Sequence, residues 1–261
     1  MSILATDTNP KSGNSSAIVT AMPLRWGPVA TLAWTSGAGA VYVLTQLIGL
    51  FIFMVWWEYA SPGVPFKLAD LGTSGPLLAI TIAVSTPAVL GVVMLAAHLS
   101  RVGIREYLGL YWPSLRELGL GLLVIGVLVP LTDLATWASG ADPIPEFMTA
   151  TYATAKAMGM VPLLVIAFVV LAPIGEEIVF RGFLYRGLAT RLGPLAAIAI
   201  TATIFGGLHV QYGIFLQLQI LLIGLAFGWL RWRSGSTLLP AILHTLMNGV
   251  AVAQVMRVQG V

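Results

Sequence analysis

Two adjacent glutamates, Glu176 and Glu177, stand in the stretch LAPIGEEIVFRG at the end of a long apolar run. An ionisable side chain at membrane depth is energetically costly and by default marks a functional site. Glu177 and Arg181 are four residues apart, so they share a helix face and can pair. Glu176 points about 100° away from Glu177 on a helix. The spacing therefore predicts a structural Glu177 and a Glu176 that is free to act.

Three more polar residues lie in later apolar runs, and their spacing brings them towards Glu176. His244 and Asn248 are four residues apart and project from one helix face. The dipeptide at 193–194, Gly-Pro, predicts a turn between two helices. Glu176 comes seventeen residues before Gly193 and His209 sixteen after it. In an antiparallel hairpin the two side chains would lie at the same level, so we expect a shared polar cavity.

Such a cluster has two chemical interpretations. A carboxylate among apolar groups is a better base than one in water and can take a proton from a water molecule. An imidazole can help to hold that water, and a second imidazole with a carboxamide can stabilise an oxyanion. This combination suits peptide hydrolysis without a cofactor. Alternatively Glu176, His209 and His244 match the ligand set of catalytic Zn²⁺, and the residues fit both interpretations.

The composition places these residues in a membrane protein. Hydrophobic residues make up 58% of the 261 residues and charged residues only 9%, whereas soluble domains carry roughly 25% charged residues. The chain has no cysteine, which excludes disulfides, thiolate metal sites and a cysteine nucleophile. The net charge is only +3 and no basic tract is present, so no nucleic acid partner is expected.

The apolar runs predict an all-α fold, a polytopic transmembrane helix bundle of about seven spans, with a range of six to eight. Residues 1–26 are predicted to form a polar, mobile tail, and residues 27–258 a single transmembrane domain with its motif region at about 160–250. Segment 139–159 is the longest polar connection and is expected to be a short loop. The predicted spans are 29–56, 76–99, 117–138, 160–180, 194–211, 213–231 and 237–256.

The distribution of Lys and Arg predicts the orientation. Connections rich in basic residues alternate with poor ones along the chain, so the positive-inside rule places the N-terminus in the cytoplasm. If Arg181 marks the cytoplasmic surface, Glu176 lies about 8 Å below it. We therefore expect an integral protein, of a bacterial plasma membrane, with a shallow site near the cytoplasmic leaflet. The connection HVQYG after the fifth span would then have to lie deep, or the fifth helix would have to tilt.

Three motifs give the sequence a resemblance to the CAAX protease and bacteriocin-processing family, whose eukaryotic members are type II CAAX endopeptidases. They are EEIVFR at 176–181, FGGLH at 205–209 and HTLMN at 244–248, which fit EExxxR, FxxxH and HxxxN. The resemblance implies an intramembrane endopeptidase that cleaves a membrane-associated or lipidated peptide or protein. The family is widely labelled as a metalloprotease, although a metal-free glutamate mechanism is also argued for it.

The same resemblance implies roles for the individual residues. Glu176 corresponds to the water-activating glutamate and His209 to the histidine that helps to hold the water. His244 and Asn248 correspond to the pair credited with the oxyanion. Glu177 with Arg181 would support Glu176.

Two other function classes stay open on the sequence alone. A transporter or channel could use the polar cluster as a substrate or proton site, although that class often has two related halves. A non-catalytic immunity or scaffold protein would keep its function without the histidines. Asp133 lies in a predicted span and has no evident partner in the sequence. Gly224 and Gly228 are four residues apart, a spacing that indicates close helix packing.

Overall fold

The computed structural model describes residues 26–260, so the tail predicted for residues 1–26 lies outside it except for Trp26. Within these residues every regular element is helical, which confirms the all-α prediction. We number the helices α1 to α9, leaving a short 3₁₀ turn at Leu68–Asp70 unnumbered. They are α1 Pro28–Ala60, α2 Gly75–Leu99, α3 Ile104–Leu108, α4 Leu115–Ala138, α5 Glu146–Ala157, α6 Val161–Leu192, α7 Pro194–Gly207, α8 Ile214–Ser234 and α9 Leu238–Val258.

Six of these helices are long and apolar enough to cross a membrane, and they are α1, α2, α4, α6, α8 and α9. The span predicted at 194–211 is wrong, because α7 has only 14 residues. At 1.5 Å per residue α7 rises about 21 Å, short of the roughly 30 Å hydrocarbon layer. Residues 208–213 then connect α7 to α8 without regular structure. The bundle therefore has six candidate spans and one shorter apolar helix, within the predicted range.

Two other boundaries differ from the sequence prediction. Segment 139–159 is not a simple loop, because it contains α5, a two-faced helix that buries Thr151, Tyr152 and Ala155. The fourth predicted span, 160–180, ends too early, because the helix continues to Leu192. Its charged residues Arg181 and Arg186 are buried in the protein and do not end the helix.

Glycine permits the tight turns between the helices around the site. Gly193, with a φ of 79°, separates α6 from α7, and Gly235, with a φ of 70°, ends α8. Residues other than glycine rarely adopt this left-handed backbone.

At the start of α4, Ser114 and Glu117 form a capping box that satisfies the first main-chain N–H groups.

Helix α6 lies at the centre of the bundle and is not a uniform α-helix. It contacts α1, α2, α7, α8 and α9. Two π-helical segments, Ile166–Leu171 and Ile178–Leu184, flank the α-helical stretch Ala172–Glu177. Such π turns are rare and occur frequently at functional sites. The two glutamates therefore lie at the end of a short α-helical stretch between two irregular turns.

Close packing fixes α8 against α7. A Cβ atom on Gly228 would lie 2.9 Å from Ile198 Cγ2, and one on Gly224 would lie 3.3 Å from the Ala202 Cβ. The absence of side chains at the two glycines lets the helix axes approach. The close packing predicted from their spacing is thus confirmed.

Candidate active site

Glu177 and Arg181 form the pair that their spacing predicts. The distance from Arg181 Nη1 to Glu177 Oε1 is 2.9 Å, and both side chains are completely buried. Arg181 Nη2 also donates to the Gly224 carbonyl at 3.2 Å. The guanidinium lies 4.4 Å from the centre of the Phe205 ring and 5.8 Å from that of Phe227. Arg181 therefore pairs with a buried carboxylate and itself lies against two aromatic faces.

Arg181, the residue on which the depth argument from the sequence relied, is buried inside the bundle and belongs to a helix that continues to Leu192. A completely buried arginine does not by itself mark a membrane surface. Glu176 lies midway along α6, fifteen residues after Val161 and sixteen before Leu192. The estimate that Glu176 lies about 8 Å below a surface marked by Arg181 stays a prediction.

His244 of α9 lies between the two glutamates. Its Nδ1 is 3.0 Å from Glu177 Oε1, and its Nε2 is 3.9 Å from Glu176 Oε2. Because Glu177 is paired with Arg181 and accepts at that oxygen, Nδ1 carries the proton in this contact. Nε2 is then the ring nitrogen that faces Glu176.

His209 follows the end of α7, and its backbone and ring are held by neighbours. Its Nδ1 is 2.7 Å from the Phe205 carbonyl, and Gln217 donates to the His209 carbonyl at 3.2 Å. A carbonyl can only accept, so Nδ1 is again the protonated nitrogen and Nε2 is left for other partners. The rings of His209 and His244 lie 4.7 and 6.0 Å from the Phe205 ring. Phe205 therefore touches both histidines.

Glu176 differs from Glu177 in its surroundings. Its side chain is 34% exposed, whereas that of Glu177 is completely buried. Glu176 is close enough to His244 and His209 to interact electrostatically with both. The structure thus brings Glu176, His209 and His244 together, although their catalytic roles stay predictions.

Asn248 lies one turn after His244 on α9, but its carboxamide points to α6. Its Nδ2 donates to the Phe168 carbonyl at 2.8 Å. One of its two amide protons is therefore committed to a main-chain oxygen. The oxyanion role implied by the resemblance stays a prediction.

Two tyrosines beside Glu176 were not singled out from the sequence. Tyr212, in the α7–α8 connection, stacks on the His209 ring at 6.2 Å, and Tyr42 of α1 also interacts electrostatically with Glu176. Burial, and next the negative charge of Glu176, raise the pKa of Tyr212 to about 12, so its hydroxyl stays protonated at neutral pH. The available signal for Tyr42 was its spacing of four from Gln46 within an apolar span.

The arrangement does not form a metal-ligand set. Glu176, His209 and His244 offer the donor types that Zn²⁺ prefers, and each histidine anchors Nδ1 as metal-binding histidines do. Across residues 26–260, however, no three His, Asp or Glu side chains are grouped closely enough to hold a metal ion. The side chains as placed therefore do not fit the zinc hypothesis, and we derive no chemical step through a metal.

Comparison with known proteins identifies the part of the chain that contains the site. Residues 158–250 match the family model described as type II CAAX prenyl endopeptidase Rce1-like. This stretch is similar to that family. The match confirms the predicted resemblance and covers α6 to α9 for most of their length.

A curated relative is similar to part of the chain. An Escherichia coli protein described as an uncharacterized 24.3 kDa protein is 37% identical over 111 residues, which are 40% of this chain. The chain spans about half of that relative, since the aligned part is 49% of its length. No solved structure matches the chain significantly.

Proposed function

We propose that the chain is an intramembrane endopeptidase that hydrolyses a peptide bond with a water molecule activated by Glu176. The observation that carries the proposal is the different state of the two glutamates. Arg181 and His244 both contact Glu177 Oε1, at 2.9 and 3.0 Å. Among the described residues no arginine is paired with Glu176, which faces His244 Nε2 at the longer distance of 3.9 Å. Glu176 is therefore the carboxylate available to accept a proton.

These positions support the following sequence of steps. A water molecule donates one hydrogen bond to Glu176 and another to a neutral His Nε2. Glu176 takes the proton while the water oxygen attacks the peptide carbonyl carbon, which becomes a tetrahedral oxyanion. The other histidine, which is protonated at both ring nitrogens before the reaction starts and keeps both protons throughout, donates to that oxyanion. When the C–N bond breaks, Glu176 returns the proton to the leaving amine.

The surroundings of the site favour a substrate that is itself associated with the membrane. Glu176 lies midway along a candidate membrane span, and Tyr42 on α1, which is 48% exposed, lies near it. We propose a membrane-associated or lipidated peptide or protein as the substrate and the bilayer as the working environment. We further propose a bacterial plasma membrane, on the excess of Arg over Lys in the composition. A cytoplasmic N-terminus is proposed on the distribution of Lys and Arg among the connections.

A single substitution tests the proposal. Glu176→Gln keeps the size of the side chain but removes the base, so the folded protein should persist while kcat falls by about 10²–10⁴-fold. Cleavage is measured in proteoliposomes with a library of peptides, with and without a farnesylated C-terminal cysteine motif. Glu58→Gln, at an exposed glutamate near the end of α1, is the control and should keep full activity. An active Glu176→Gln variant would contradict the proposal.

A further inference from the structure

One main-chain carbonyl of α6, that of Phe168, lacks the donor that its helix would normally supply. In the π-helical segment Ile166–Leu171 the donors lie five residues ahead, and the Ala172 N–H donates to the Ala167 carbonyl. Continuing that register, the donor to Phe168 would be the N–H of residue 173. Residue 173 is proline, which has no N–H.

The carboxamide of Asn248 replaces this missing donor. Its Nδ2 lies 2.8 Å from the Phe168 carbonyl oxygen. At membrane depth no bulk water can satisfy a free carbonyl, so a side chain from a neighbouring helix takes that function. The contact joins α9 to the irregular part of α6, eighty residues earlier in the chain.

Asn248 and His244 together hold α6 at two points. Both project from one face of α9, and His244 contacts Glu177 at 3.0 Å while Asn248 contacts Phe168 at 2.8 Å. The two contacts lie on either side of Pro173 and enclose Glu176. The contact of Asn248 therefore restrains the π turn just before the helical stretch that carries Glu176.

We infer that Asn248 is a positioning residue, which supplies the hydrogen bond that Pro173 cannot and so fixes Glu176 relative to His244. The expected effect of Asn248 on activity rests on the proposed peptidase function. The contact by which Asn248 braces α6 does not depend on that function. Without the amide, the turn at Phe168 relaxes and the Glu176 carboxylate leaves its place opposite His244 Nε2. A purely oxyanion-binding Asn248 would have no energetic relation to Pro173.

A double-mutant cycle between the two positions tests the inference. Pro173→Ala restores an N–H at residue 173, which can donate to the Phe168 carbonyl in the existing π register. Asn248→Ala alone should lower the Tm of the detergent-solubilised protein by a few degrees and lower kcat at least tenfold. In the Pro173→Ala background the same substitution should change kcat by no more than about threefold and leave Tm almost unchanged.

The outcomes separate this inference from the proposed function. Equal effects of Asn248→Ala in both backgrounds, on Tm or on kcat, would overturn the positioning role. If the wild-type protein cleaves no peptide, the proposed function fails, yet the Tm cycle still decides whether Asn248 braces α6.

An infrared measurement covers the case in which Pro173→Ala does not fold. Protein labelled with ¹³C at the phenylalanine carbonyls should show one carbonyl band at higher frequency in Asn248→Ala than in the wild type, because that carbonyl has lost its hydrogen bond. Asn248→Gln, which keeps an amide donor, should restore part of the original band. Identical spectra of wild type and Asn248→Ala would overturn the inference.

Discussion

At the scale of single residues, the site is a chain of contacts in which each group fixes the next. Arg181 holds Glu177, Glu177 orients the His244 ring, and His244 presents Nε2 to Glu176. Glu177 accepts both contacts on Oε1, and its buried Oε2 has no hydrogen-bond partner among residues 26–260. Because Glu177 is completely buried, its charge is tolerated only while the Arg181 cation is paired with it.

Removal of that cation should therefore destabilise the whole protein. Arg181→Met leaves Glu177 buried with His244 as its remaining partner, and we expect a loss of about 3–5 kcal/mol in the free energy of unfolding. Denaturant unfolding in detergent measures the change. The double variant Glu177→Gln/Arg181→Met should be more stable than Arg181→Met alone, because the unpaired charge is gone. A fully stable Arg181→Met would show that the pair is not structural.

Sequence spacing predicted one of these side-chain contacts and missed the others, because the others join residues far apart in the sequence. The contact between Glu177 and Arg181 follows from a spacing of four along one helix. The contact between His244 and Glu177 joins residues 67 positions apart, and no local pattern encodes it. Asp133 is similar: its partner Gln219 donates at 2.7 Å from a helix 86 residues away.

At the scale of elements, the length of α7 decides where His209 lies. Hydropathy alone predicted a span over 194–211, because apolar residues continue beyond the helix end. The helix nevertheless ends at Gly207, after two glycines that weaken it. His209 therefore lies in non-helical backbone beside α8, where Gln217 holds its carbonyl. A short helix and a non-helical connection therefore replace the full span, and the depth of HVQYG in the membrane stays a prediction.

The close contact of α7 with α8 should be sensitive to added volume. Gly228→Leu would force its Cβ to 2.9 Å from Ile198 Cγ2, and we expect a loss of about 1–3 kcal/mol in the free energy of unfolding. Gly126→Leu on α4 is the matched control, since a Cβ there meets nothing within 4 Å. Thermal unfolding in detergent compares the two. Equal stability of both variants would mean that this contact is not tightly packed.

At the scale of the whole molecule, helices outside the family match also contribute to the site. The match begins at residue 158. Tyr42 of α1, which precedes the match, interacts electrostatically with Glu176, and α2, which also precedes it, packs against α6. A Cβ atom on Gly175 would lie 2.9 Å from Thr86 Cγ2, so α2 lies directly against the residue before Glu176. The orientation of the bundle follows from Lys and Arg alone and stays a prediction.

Metal dependence is a property of the purified protein as a whole. Because Glu176, His209 and His244 do not form a metal-ligand set within the described residues, we expect peptide cleavage to survive exhaustive chelation. Elemental analysis of the active preparation should find less than about one zinc ion per ten chains, compared with about one per chain for a structural or catalytic zinc site. Activity that is lost on chelation and restored by zinc would contradict this expectation.

The central claim, that Glu176 directs water onto a peptide carbonyl, has one direct measurement. Cleavage of the peptide library in proteoliposomes is carried out in H₂¹⁸O, and the new C-termini are examined by mass spectrometry. The account predicts one ¹⁸O atom in each newly formed carboxylate with the wild-type protein and no new C-termini with Glu176→Gln. Labelled products in equal yield from both proteins would contradict it.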